Sequence, residues 1–172
     1  MVKKKKFMAY LATVLLLVVS MIMTACGGPA DTKKDAAQSG KQIEITDVTG
    51  QKVTLKKPAE RVVVQLSASG GAFLTMAALQ GKDVAKTIVG MDPYLVKLRT
   101  DMWDRYKADV PELEQIPLIG NVNDKTFDVE KVISLNPDVI FMPLYFKDQY
   151  ESDYKPKIDA AGIPTIYIDY HA

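Results

Sequence analysis

From residue 61 onward, short β-branched runs alternate with stretches of helical composition, and that rhythm leaves few folds open. Arg61-Val62-Val63-Val64 is the first such run, followed by Ser67-Ala68-Ser69-Gly70-Gly71 and an Ala/Leu/Met-rich helix expected over 72–80. Gly81 is a good stop for that helix. Residues 87–90 predict the next strand, 94–108 a helix, and 116–120 a short strand that Pro117 confines to an edge or irregular position. A helix is expected over 128–135 with Val129, Val132, Ile133 and Leu135 along one side, then a strand over 138–142, a helix over 149–161 and a last strand over 165–168. Ahead of them, Ile43-Glu44-Ile45 and Lys52-Val53-Thr54-Leu55 alternate apolar and polar residues around Asp47-Val48-Thr49-Gly50, which is a hairpin signal. Strands alternating with helices mean crossover connections, so the fold class is α/β, with a mostly parallel sheet and helices on both faces. Ligands of such sheets bind beyond the carboxyl ends of the strands. The loops that matter are therefore 65–71, 91–94, 120–123, 143–146 and 169–171.

The first 25 residues read differently. Lys3 to Lys6 give a cationic start, residues 7–23 an apolar stretch of 17, and Met23-Thr24-Ala25 a small-residue approach to Cys26, the chain's only cysteine. That order is a secretory signal. An uncleaved membrane span is the alternative, but it needs about 20 apolar residues. Cys26 followed by Gly27-Gly28 resembles the lipobox of bacterial lipoproteins, with Met23 where Leu is more usual. The resemblance implies a diacylglyceryl group on the thiol, with Cys26 as first mature residue, and a lipid-anchored protein on the extracytoplasmic face of a bacterial cell membrane. Two acyl chains hold a protein stably where one binds reversibly. Such a cysteine has no thiol left for a disulfide, a metal or nucleophilic chemistry. Residues 26–41 lack apolar periodicity and are rich in small and charged residues, as a flexible tether would be.

Without the four lysines of the signal, 18 basic residues face 21 acidic ones, a net charge of −3. No basic stripe is visible, which argues against nucleic acid as a partner. One histidine, His171, argues against capture of bare Zn²⁺ or Mn²⁺, which want several converging ligands. No cofactor is implied. There is no free thiol and no serine paired with a placed histidine, so no catalytic set stands out and the chain does not read as an enzyme.

Three stretches carry a family resemblance. Ile45-Thr46-Asp47-Val48-Thr49-Gly50-Gln51-Lys52-Val53-Thr54-Leu55 leads to Pro58-Ala59-Glu60-Arg61-Val62-Val63. Phe127-Asp128-Val129-Glu130-Lys131-Val132-Ile133-Ser134-Leu135-Asn136-Pro137-Asp138-Val139-Ile140 and Ala161-Gly162-Ile163-Pro164-Thr165-Ile166-Tyr167-Ile168 follow in order. Together they resemble the periplasmic-binding-protein-like substrate-binding lipoproteins of ABC importers that take up ferric siderophores, haem or cobalamin. The resemblance implies two Rossmann-like lobes joined by a long helix, with the ligand between them. It further implies that residues 42–172 are the N-terminal lobe alone, with the second lobe absent through truncation, frameshift or fragmentation, or because the protein is a genuine one-lobe one. One wall leaves much of a ligand in water, whereas pockets usually bury roughly 70–90% of it. Weak binding or none is then expected from this lobe by itself.

The same resemblance makes Glu130 a docking contact for arginines of the permease subunits, a type of pair that mainly steers encounter. A first-turn glutamate favoured by the helix dipole is the plainer reading, and both can hold together. Ser67, Ser69, Gly70 and Gly71 precede a helix and offer backbone N–H groups to an anion, or else Ser69 simply caps the helix. Tyr94, Tyr145, Tyr170 and His171 fall in strand-end loops where aromatic groups can stack on a porphyrin, corrin or catecholate, and Asn121 lies in another such loop. Leu95, Leu98, Met102 and Trp103 read as core, Arg99, Arg105 and Lys107 as a solvated face, and Asp138 as a structural residue at a strand start.

The leading expectation is an uptake component that captures an iron complex at the cell surface and hands it to a permease. A membrane-anchored interaction or sensory module without a transport role is the alternative. For the anchor, Cys26→Ser should abolish incorporation of labelled palmitate and release the protein from the membrane fraction; unchanged labelling would rule out the lipid.

Overall fold

The computed structural model describes residues 42–66 and 70–170, all within a compact unit formed by Gln38–Ala172. The signal segment, the tether with Cys26, and Ser67, Ser69 and His171 lie outside the described residues.

An antiparallel hairpin opens the fold, β1 (Ile43–Thr46) against β2 (Lys52–Leu55). Its turn is built on Asp47, whose Oδ1 accepts from the backbone N–H groups of Thr49 (2.8 Å) and Gln51 (3.0 Å) and from the Thr49 hydroxyl (2.6 Å). Asp47 Oδ2 accepts from the Tyr167 N–H at 3.2 Å, so one carboxylate shapes the hairpin and ties it to the main sheet. Burial works to raise the pKa of Asp47, but these donors outweigh it and hold it below the ordinary value.

The main sheet contains β3 (Val62–Val64), β4 (Ile88–Met91), β5 (Val139–Pro143) and β6 (Thr165–Ile168). All neighbours are parallel and the order is β4-β3-β5-β6. Side chains alternate between two cores. Val62, Val64, Val139 and Ile166 pack with Phe73, Met76, Leu95, Trp103 and the hairpin's Val53 and Leu55. Val63, Ile140, Met142 and Tyr167 pack with Val132, Phe146, Tyr150 and Ile158 on the opposite face. Each fully buried Val or Ile stabilises the fold by about 1.5–3 kcal/mol relative to an exposed one.

On the first face lie α1 (Gly71–Gln80), the short α2 (Val84–Thr87), α3 (Tyr94–Leu98) and α4 (Thr100–Asp109). On the second lie α5 (Val129–Ser134), α6 (Lys147–Asp153) and α7 (Lys155–Ala160). Gly81 does cap α1, with φ 58°, but an unexpected 3-10 turn and α2 follow, and α2 takes in Thr87, where the strand was expected to start; the strand runs one residue later, over Ile88–Met91.

Three expected elements come out differently. The helix over 94–108 is broken at Arg99 (φ −130°, ψ 52°), a turn that seats Leu95 and Trp103 in the core and leaves Leu98 56% exposed, so Leu98 is not a core residue. The helix over 149–161 starts earlier and breaks at Tyr154. Pro156 has no N–H to donate and its ring would strike the carbonyl one turn back. Residues 116–120 make only one bridge, Leu118 beside Met91, as Pro117 contributes no ladder donor.

Asp138 joins two of the sequence motifs. Its Oδ2 accepts from the Glu60 and Arg61 N–H groups, both at 2.9 Å, while Arg61 Nε donates to the Asn136 carbonyl at 3.1 Å and its guanidinium to the Leu135 carbonyl at 2.6 Å. The entries to β3 and β5 are thereby locked together. Asp138→Ala should lower stability by about 1–3 kcal/mol, read as an earlier urea midpoint. Asp138→Asn, which keeps an acceptor oxygen, should lose less. An unchanged midpoint for the alanine variant would contradict this role.

Candidate ligand-facing edge

The strand order fixes where a site can form. The chain leaves β3 toward one face, through α1, and leaves β5 toward the other, through α6 and α7. Turns that diverge in this way open a crevice at the carboxyl edge between β3 and β5. The turns after β4 and β6 flank it.

Gly70 stands at the start of α1 with φ 78°, a conformation other residues adopt only with strain. It occupies the N-cap position expected of Ser69, and no side chain bonds the cap. A Cβ on Gly71 would run into the ring of Tyr170. The missing side chain is thus what lets Tyr170 lie across the first turn of α1. Tyr170 also lines an apolar groove of about 330 Å³ with Thr75, Met76, Leu79, Phe141 and Ile168. Burial pushes its phenol up from the ordinary value, against a hydrogen bond with Thr75.

Tyr145 is 80% exposed, carried on a single 3-10 turn (Leu144–Phe146) whose Phe146 is buried in the core. The two rings meet edge-on at 5.5 Å, so an anchored residue presents an exposed one. Across the edge, Tyr94 donates its hydroxyl to Asp124 Oδ1 at 2.8 Å and accepts from Asn123 Nδ2 at 3.3 Å. Burial and the Asp124 carboxylate raise the Tyr94 phenol. Gly70, Tyr94, Tyr145 and Tyr170 therefore share the carboxyl edge of the sheet.

Asn121 does not join them at the surface. It is fully buried, donates to Asp92 Oδ2 (3.1 Å) and the Leu66 carbonyl (3.4 Å), and accepts from the Asn123 N–H (2.8 Å). Sequence reasoning gave no role to its partner Asp92 or to nearby Gln65, which are also fully buried. Gln65 donates to the Gly120 carbonyl at 3.0 Å and accepts from the Val122 N–H at 3.1 Å. The signal available was an acid and an amide directly after strands of apolar residues, Gly90-Met91-Asp92 and Val63-Val64-Gln65.

Glu130 lies in the first turn of α5, which runs into β5 and so begins at the same carboxyl edge. Its side chain is 80% exposed and 3.9 Å from Lys157. Asp128 caps that helix by accepting from the Lys131 N–H at 2.9 Å. A second concavity, about 470 Å³, sits at the opposite, amino edge, lined by Lys56, Lys57, Asn136 and Asp138 among others. Its acid is already engaged by the Glu60 and Arg61 backbone.

Known proteins share this fold. The TroA-like periplasmic binding protein FepB of Veillonella parvula superposes with a TM-score of 0.72 and 64% identity, over 76% of this chain and 37% of that one. The chain has the fold of one lobe of a TroA-like periplasmic binding protein. A periplasmic solute binding protein of Veillonella parvula DSM 2008 matches with a TM-score of 0.59 and 25% identity, over 77% of this chain and 36% of that one. In sequence, the chain is 29% identical over 163 residues to YvrC of Bacillus subtilis, an uncharacterized ABC transporter substrate-binding lipoprotein. Those residues cover 90% of this chain. The chain spans 43% of that relative's length. No family model matches. The resemblance read from the motifs is thus shared by both kinds of comparison.

Gly71→Ala should force Tyr170 off α1. Its phenol then titrates closer to the ordinary tyrosine range, because the burial that raised it is relieved, and its ring resonances shift in ¹³C-tyrosine NMR spectra. Unchanged ring shifts and titration would show that the ring does not rest on Gly71.

Proposed function

We propose that this chain supplies one wall of the ligand cleft of a substrate-binding lipoprotein serving an ABC importer. The observation that carries the reading is the convergence of Tyr94, Tyr145 and Tyr170 on the carboxyl edge of a TroA-like lobe. Residues 1–25 act as the lipoprotein signal, Cys26 bears the lipid, 26–41 form the tether, and 42–172 are the N-terminal lobe of a two-lobed clamp. The extracytoplasmic side of a bacterial membrane is its place of work, in keeping with the lipoprotein relative.

The cargo we favour is an iron complex of siderophore type, with haem or cobalamin next. Tyrosine faces suit planar ligands, since offset or edge-on aromatic contacts contribute about 0.5–1.5 kcal/mol beyond burial. Ser67, Ser69 and His171, which belong to the same strand-end loops in sequence, are proposed to add polar contacts, together with the Gly70 backbone. Glu130, exposed at this edge, is proposed to meet the permease; a rim charge of this kind acts chiefly on encounter.

Titration of the full chain in detergent with a ferric catecholate siderophore, haemin and cyanocobalamin, followed by intrinsic fluorescence, tests the reading. One of the three should quench saturably, and Tyr145→Ala should weaken it about two- to tenfold, the equivalent of one aromatic contact. Glu130→Lys should leave that affinity unchanged while lowering association with the permease. Because one wall binds weakly at best, the outcome that would remove this edge as the ligand wall is saturable quenching that Tyr145→Ala leaves unchanged.

A further inference from the structure

Asp92 is a buried carboxylate at the carboxyl end of β4 that no step of ligand capture uses. Three donors surround it, and they come from three different loops. Oδ2 accepts from the Leu66 N–H, in the turn after β3, and from Asn121 Nδ2 at 3.1 Å. Oδ1 accepts from the Tyr94 N–H at 2.8 Å, and the Asp92 N–H itself donates to the Val64 carbonyl at 3.2 Å. Gln65 extends the frame by holding Gly120 and Val122. The segments that present Gly70, Tyr94 and the 121–124 turn are therefore tied through one carboxyl group.

We propose that Asp92, together with Gln65 and Asn121, positions the turns of the ligand-facing wall, and that ionisation of Asp92 loosens them. The proposal rests on the cleft reading above for its functional meaning. Geometry supplies the positioning half. A single side chain links the β3 and β4 turns to the 121–124 turn, so its state is felt by all three. Burial supplies the direction of the second half. Few charged groups face Asp92. The turn after β3 contributes no titratable side chain at Gln65 or Leu66. From α3 comes Tyr94, whose phenol is itself raised. From the 121–124 turn comes Asp124, a like charge that disfavours ionisation. The three donors work to lower the carboxyl, but burial outweighs them and pushes Asp92 up to about 7.

The sign follows from linkage. When the turns open, Asp92 meets water and regains an ordinary carboxylate pKa, so the open form releases its proton at lower pH than the closed form. Between those two values the closed form binds more protons, and rising pH favours opening. Above about 7 both forms are ionised and the effect levels off. Asp92 is thus a positioning residue whose grip on the wall is firmest below the ordinary carboxylate value and weakens as pH rises to about 7.

Amide hydrogen exchange on the full chain in detergent tests this without any ligand, with rates corrected for the intrinsic effect of pH. Opening at Leu66 and Tyr94 should be at least about tenfold more frequent at pH 8.0 than at pH 5.5. Ile140 and Tyr167, in β5 and β6, should be unaffected. Asn121→Ala removes one donor to the carboxylate, so it should shift the midpoint of this profile to higher pH, which a purely structural defect would not do. Asp92→Asn should abolish the pH dependence; if that variant fails to fold, the wild-type profile and the Asn121→Ala midpoint still decide. Equal exchange at the two pH values, or a change of the same size in β5 and β6, would overturn the proposal. Because no ligand is involved, quenching that Tyr145→Ala leaves unchanged, with this profile intact, would sink the cleft reading alone, and the reverse would sink only the positioning role.

Discussion

Three consecutive valines, Val62, Val63 and Val64, sit between two parallel neighbours and are buried on both faces of the sheet. A strand so placed has no solvent side, and the chain must supply a helical layer above it and another below. It does so by leaving β3 toward one layer and β5 toward the other. The crevice at the carboxyl edge is the geometric consequence of that reversal, and every residue proposed here to meet a ligand depends on it. The Asp138–Arg61 lock at the amino edge holds β3 and β5 in the register that makes the reversal possible.

The two edges of the sheet have separate tasks. At the amino edge, charged groups are used up on backbone atoms: Asp138 on two N–H groups, Arg61 on two carbonyls. At the carboxyl edge, the polar groups that are buried hold turns in place, and aromatic groups are left outward. Tyr145 shows the division most simply, since its neighbour Phe146 fills the core and thereby fixes the turn that exposes it. Gly71 gives a second instance, where an absent side chain makes room for the Tyr170 ring.

Much of this was legible in the chain. The β-branched runs at 62–64, 139–142 and 165–168 announced buried parallel strands, and the turn residues around Asp47 and Gly50 announced the hairpin. The break at Arg99 was not legible, because 94–108 carries a helical pattern throughout and only packing around Trp103 prefers two segments. Pro156 did carry a signal for the break at Tyr154, which helical composition on either side obscured. At the edge itself, residue type misled in one case: Asn121 looked like a ligand contact because it is polar and in a loop, whereas its side chain is buried and bonded to Asp92, the Leu66 carbonyl and the Asn123 N–H. Polarity in sequence does not say which way a side chain faces. Asp92 and Gln65 were passed over for the same reason, in the opposite direction.

The account stands on the carboxyl edge being the surface that meets cargo. A ¹H–¹⁵N chemical-shift map of the full chain, recorded while a ferric catecholate siderophore, haemin or cyanocobalamin is added, addresses that directly. Perturbations gathered at Leu66, Gly70, Tyr94, Tyr145 and Tyr170 are the predicted result. Shifts gathered instead around Lys56, Asn136 and Gly162, in the concavity of the amino edge, would contradict it.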